Sequence, residues 1–237
     1  QPFWAAVGLA AVLGQVGLPG GGFCLAYGPT NNLGSGQRLL PGPTLPQGRN
    51  PVDAFIPVAR IADMLLHPGE SFDYVGQRRR YPDIRLVYWA GGNPFHHHQD
   101  LHRLARAWRR PGAVIVHEQV WNAHARMADV VLPATSTLER DDIGHGLRDP
   151  LLIAMRRAID PPGEARDDYA IFAALAARLG RDGLFTEGLD ARGWLRRLYD
   201  ETVPKWAEAG IALPDFDAFW NQGGVRIPAD DRPVVAL

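Results

Sequence analysis

Four short stretches hold the residues able to do chemistry. Gly91-Gly92-Asn93-Pro94 combines two glycines with an amide that can both donate and accept. His96, His97 and His98 follow at once, with Asp100 and His102 close behind. His117-Glu118 pairs an imidazole with a carboxylate, and Glu118 can accept from the amino and imino groups of a guanine edge or serve as a charge at a helix start. Thr135 to Asp142 is a polar string in which Arg140 is suited either to a phosphate or to its acidic neighbours Glu139 and Asp141.

Several familiar motifs are not matched. His98 and His102 stand at i,i+4, a spacing that can hold zinc, but Trp121 occupies the place of the second histidine in a His-Glu-x-x-His motif begun at His117. The glycine turn matches neither Gly-x-Gly-x-x-Gly nor a Walker loop, and the one lysine, Lys205, is far from it. No serine sits in a nucleophile elbow. Cys24 is the single cysteine, which excludes an internal disulfide and a cysteine cluster; it is expected to be a packed small hydrophobe.

The elements around these stretches predict how they are positioned. Ile84 to Trp89 and Ala113 to Glu118 are apolar runs rich in β-branched and aromatic residues, separated by a helical pattern of about a dozen residues, as in a β-α-β unit with parallel strands. Asp129 to Pro133 continues the pattern. Ligands of such units bind beyond the carboxyl ends of the strands, where Asn93, His117 and Glu118 stand. Leu151 to Met155 reads as another buried strand. Asp167 or Asp168 caps a helix from Tyr169 to Leu179 that Gly180 closes; further helices are expected over Ala191–Glu208 and Asp215–Trp220. Pro57 starts a short helix over Val58–Leu66.

Gln1 to Val16 is apolar nearly all round, too short for the ~20 residues that span a bilayer, and reads as a buried helix. Gly17 to Gly22 ends it, and Tyr27 to Pro51 is a long loop. Gly69 to Pro82 reads as polar connection, with Gln77-Arg78-Arg79-Arg80 a solvated turn. The expected division is 1–83, a buried helix and long loop belonging to an incomplete neighbouring domain; 84–185, the α/β nucleotide-binding region; and 186–237, a helical extension with a cut end. Starting at Gln1 and entering at once into an apolar helix pattern, the chain is expected to be part of a longer protein or a processed one. A net charge of −1 gives no electrostatic case for nucleic acid or an anionic membrane as partner.

The run Tyr88-Trp89-Ala90-Gly91-Gly92-Asn93-Pro94-Phe95-His96-His97-His98-Gln99-Asp100-Leu101 resembles the molybdopterin oxidoreductases of the dimethyl sulfoxide reductase family. Within that family it is most similar to the branch that reduces S-oxides and N-oxides, including trimethylamine N-oxide and biotin sulfoxide reductases. Val116-His117-Glu118, Ala128 to Thr135, Leu138-Glu139-Arg140, Gly163 to Arg166, Gln1 to Trp4 and Gly17 to Phe23 match in order, so the resemblance covers essentially the whole chain. Departures are Asn122-Ala123-His124-Ala125-Arg126 where the family has Thr-Ala-Thr-Ala-Arg, a single aromatic, Trp121, after the glutamate, and Asp141 where the family has asparagine.

The resemblance implies an α/β fold, a parallel sheet flanked by helices forming the Rossmann-like dinucleotide-binding portion of a multidomain enzyme. It implies a Mo-bis(molybdopterin guanine dinucleotide) cofactor, with Asn93, His97, His117, Glu118, Arg140 and Asp168 at positions that contact its guanosine or diphosphate. The serine ligand of the metal lies outside this chain, so no residue here is expected to be catalytic or to bind metal. The implied reaction is two-electron reduction of an S-oxide or N-oxide, with an electron donor such as a c-type cytochrome and no membrane insertion. The expected compartment is the periplasm, with the cytoplasm as alternative. Two other readings stay open: a non-catalytic guanine-nucleotide module built on Asn93 and Glu118, and a zinc enzyme built on His98 and His102.

Overall fold

A computed structural model describes residues 2–23, 39–146 and 148–229; Cys24 and the loop as far as residue 38 lie outside the described residues. The chain forms two compact units interleaved in sequence: residues 46–140 with 158–188, and residues 1–45 with 141–157 and 189–237. The elements in chain order are α1 (Pro2–Val12), α2 (Ile61–Leu66), β1 (Ser71–Tyr74), β2 (Gln77–Arg80), β3 (Leu86–Ala90), α3 (Pro94–His97), α4 (Leu101–Ala107), β4 (Ala113–Glu118), β5 (Val130–Pro133), β6 (Asp142–Gly144), β7 (Leu151–Met155), α5 (Asp168–Arg178), α6 (Asp182–Thr186), α7 (Ala191–Glu208), α8 (Phe216–Gln222) and β8 (Gly224–Arg226).

The unit containing residues 46–140 is built on a parallel sheet of order β3-β4-β5. Val87 lies opposite Val114, Trp89 opposite Val116 and Ala90 opposite His117; Val116 lies opposite Val131 on the other side. The predicted mixed α/β architecture with a parallel sheet and helices is present. Alternation along β4 sends Val114 and Val116 to one face, where Leu65 of α2, Leu104 and Ala107 of α4, and Trp108 at the C-cap of α4 cover them. Ala113, Ile115 and His117 face the other way. The connection from β3 to β4 is two helices rather than one, because Asp100 adopts a left-handed backbone (φ 45) and caps α4 by accepting from Arg103 N at 3.0 Å. Gln77 to Arg80 is not a solvated turn but the second strand of a hairpin whose turn, Val75 (φ 48) and Gly76 (φ 72), is left-handed at both positions. A β-branched valine there is unfavourable, which hides the hairpin from a residue-type reading.

The other unit holds an antiparallel sheet of order β6-β7-β8. The strand expected at Leu151–Met155 forms as β7 in this sheet. One face of β7, Leu152 and Ala154, packs with Tyr199 and Trp206 of α7 and Phe216, Phe219 and Trp220 of α8. α7 spans the predicted range, and Asp190 and Asp215 cap α7 and α8. α1 forms where its pattern placed it, yet among the described residues it is not the buried helix expected: Ala10 is its buried residue, while Trp4 is 79% and Val12 86% exposed.

The core assignment is testable. Leu104→Ala, which empties a fully buried position beneath the parallel sheet, is expected to lower unfolding free energy in urea by roughly 2–5 kcal/mol. Trp4→Ser on exposed α1 is expected to change it by less than about 0.5 kcal/mol.

Candidate nucleotide site

The polar residues singled out from the sequence follow the carboxyl ends of β3, β4 and β5 in the chain or, for Asp168, begin α5, all in the unit containing residues 46–140. At the end of β4, His117 and Glu118 are neighbours in sequence but point to opposite faces of the sheet. The His117 side chain is buried. Its Nδ1 lies 2.7 Å from Asp168 Oδ1 and its Nε2 lies 2.7 Å from Tyr88 Oη. A carboxylate only accepts, so the proton on Nδ1 is the one donated to Asp168; in the neutral ring Nε2 then accepts from the Tyr88 hydroxyl. Burial raises the pKa of Tyr88, and the negative charge of Asp168 adds to the shift, so the phenol keeps the proton it donates. Phe172, one turn after Asp168 on α5, packs against both rings at centroid separations of 5.0 Å (His117) and 5.6 Å (Tyr88).

The sequence left open which of two aspartates caps α5. Asp167 does so, its Oδ1 accepting from Ala170 N at 2.7 Å, and Asp168 is thereby left for His117. The segment before α5 is tethered beside β5: Arg166 N donates to Pro133 O and Thr135 N to Arg166 O, each at 3.1 Å. The Asp168 side chain is 50% exposed.

Glu118, by contrast, is 11% exposed and turned inward. Its Oε1 accepts from His124 Nδ1 and its Oε2 from Asn122 Nδ2, both at 2.9 Å. Asn122 Oδ1 in turn accepts from Ala125 N at 3.0 Å, which fixes the loop as it enters a short 3-10 turn. His124 is fully buried among Trp89, Phe95 and Trp108. Its Nε2 has no hydrogen-bond partner among the described residues.

Asn93 caps α3, its Oδ1 accepting from Phe95 N at 3.0 Å. The turn before it needs glycine, since Gly91 and Gly92 have φ of 80 and 74. His97 is exposed and stacks on His98 at 5.4 Å. Arg140 donates to Thr135 O at 3.2 Å. The structure thus joins His117 directly to Asp168, while Asn93, His97, Glu118 and Arg140 are held by other partners. The zinc reading loses its geometry: His98 precedes the left-handed Asp100 and does not share a helix with His102, and among the described residues no three ligand-type side chains gather.

Tyr88, Asn122 and His124 complete these networks and were not among the predicted site residues. A signal for Tyr88 existed: it stands two residues before Ala90, whose register partner is His117, so strand alternation puts both side chains on one face.

Comparison with known proteins agrees with the family resemblance. The family model for molybdopterin oxidoreductases matches residues 1–178. Biotin sulfoxide reductase of Cereibacter sphaeroides is 50% identical over 229 residues, 96% of this chain and 31% of that protein. Dimethyl sulfoxide/trimethylamine N-oxide reductase of Rhodobacter capsulatus is 44% identical across 98% of this chain and 30% of its own length. Trimethylamine-N-oxide reductase of Haemophilus influenzae is 41% identical across 94% and 28%. Among solved structures, acetylene hydratase from Pelobacter acetylenicus superimposes with a TM-score of 0.47 at 20% identity, over 63% of this chain and 19% of that one. The chain belongs to the molybdopterin oxidoreductase family, which implies a molybdenum–molybdopterin cofactor. It spans about three-tenths of the length of these curated relatives.

Burial depresses His124 below its ordinary value of 6.5, against the opposing hydrogen bond and charge of Glu118. Burial and the neighbouring His97 depress His98 in the same sense. An unfolded chain takes up protons at 6.5 that the folded chain refuses, so this stability is complete above that pH and is lost as the pH falls toward the folded values. The urea midpoint is therefore expected to drop between about pH 7.5 and pH 5.5. His124→Gln should show a shallower drop; an unchanged slope would exclude His124 as a source.

Proposed function

We propose that this chain, with residues 84–185 as a Rossmann-like nucleotide-binding region, holds the guanosine diphosphate end of a Mo-bis(molybdopterin guanine dinucleotide) cofactor. It would work as part of a longer reductase of S-oxides or N-oxides. The observation that carries the reading is Asp168: a half-exposed carboxylate, fixed from behind by His117, at the carboxyl edge of a parallel sheet.

The residues present suit such a group. Guanine offers two adjacent donors, N1–H and the exocyclic amine, which a carboxylate accepts in parallel. A Cβ built on Gly91 or Gly92 would meet at most the Trp89 indole nitrogen, at 3.9 Å, so the backbone of this turn is open to close approach. In this reading Asn93, His97 and Arg140 are the further donors offered to the group, while His117 and Glu118 act indirectly, as both are engaged with protein partners. When bound, the cofactor supplies the two-electron redox chemistry at molybdenum; this chain binds and orients its nucleotide end. The proposal extends to a periplasmic location and an electron donor of the c-type cytochrome kind. No helix of the described residues is long and apolar enough to cross a membrane.

Calorimetry with the full chain should show GMP bound in preference to AMP. Asp168→Asn should weaken GMP by about tenfold or more, the loss of hydrogen bonds to a charged acceptor. Equal affinity for both nucleotides, or none for either, would refute the reading. Guanine binding by a complete gene product that purifies without molybdenum would instead favour a non-catalytic nucleotide module.

A further inference from the structure

We infer that Tyr88 and His117 are positioning residues that fix the orientation of the Asp168 carboxylate, and thereby set the discrimination between guanine and a purine lacking its exocyclic amine. The inference rests on the nucleotide site proposed above and goes beyond it by giving His117 an indirect role and adding Tyr88.

His117 is placed to orient a neighbour rather than to touch a ligand. The ring is buried and both nitrogens are engaged, Nδ1 with Asp168 and Nε2 with Tyr88. No N–H remains for a bound molecule. The carboxylate end can only accept, so Nδ1–H of His117 donates to Asp168, and Nε2 is left to pair with the Tyr88 hydroxyl. Linked donors of this kind polarise one another. The backbone end of Asp168 is fixed as well. Asp167 absorbs the capping duty, and Phe172 presses the first turn of α5 onto both rings. One oxygen of Asp168 is thus tied down, and the orientation of its carboxylate plane follows from that tie. A carboxylate reads two parallel donors only when its plane is aligned with them.

The test compares GMP with IMP, which lacks the amine, using calorimetry on the full chain. Wild type is expected to prefer GMP by about tenfold, one hydrogen bond to a charged acceptor. Glutamine and asparagine separate the two nitrogens of His117: Gln can reach the Nε2 position and Asn the Nδ1 position. His117→Gln should collapse the preference, and His117→Asn should retain it, although both remove the same ring. Tyr88→Phe, the mildest change, should reduce the preference while leaving the melting temperature close to wild type. If all three variants keep the wild-type ratio, or if Gln and Asn weaken GMP and IMP in the same proportion, the positioning role is wrong and the guanine site stands. If wild type binds neither nucleotide, the guanine site falls and the positioning role with it.

Discussion

Successive residues of a strand face opposite ways, and at the carboxyl end of β4 that alternation separates two polar neighbours. His117 is delivered to the face covered by α5, and Glu118 to the face covered by the aromatic cluster of Trp89, Phe95 and Trp108. A shift of one residue in the register of β4 would exchange them and place Val114 and Val116 away from the core. The central position of β4 between β3 and β5 makes that shift costly, since both ladders would have to move.

The two carboxylates that result have different surroundings and different work. Glu118 has each oxygen occupied by a side chain of the loop that follows it, so its charge serves to hold that loop. Both partners, Asn122 and His124, are long enough to reach the carboxylate. His124 brings a burden: a buried nitrogen without a partner among the described residues, in an apolar cage that disfavours its charged form. Asp168 keeps half its surface in solvent and is held through one oxygen. An exposed, oriented carboxylate is suited to reading a ligand; an enclosed, saturated one is suited to anchoring.

The unit containing α7 and α8 depends on aromatic packing instead. Tyr199 stacks on Phe219 at 4.5 Å, Trp206 donates its indole N–H to Pro41 O at 2.7 Å, and Arg192 lies 3.9 Å above the Trp220 ring. Hydrogen bonds satisfy the polar tips of Tyr199, which donates to Pro214 O, and of Trp206, which lets both be buried. α1 shows the opposite condition, with the large apolar side chains Trp4, Leu9 and Val12 exposed among the described residues.

The local code was read from the sequence alone where it is local. Runs of β-branched and aromatic residues marked β3, β4 and β5, and an aspartate pair followed by apolar residues at helical spacing marked α5, because strand preference and cap chemistry act within a few residues. The ordered motifs identified the family for the same reason: they are contiguous words. Tertiary structure alone decided which carboxylate is enclosed and which is presented. It also decided that Asp167, not Asp168, caps α5, that β7 joins an antiparallel sheet, and that α1 is exposed among the described residues. His117 and Asp168 are 51 residues apart, and no local preference of either encodes the other. Their meeting is set by the register of β4 and the tether of residues 133–166 beside β5, constraints that exist only once the sheet has formed.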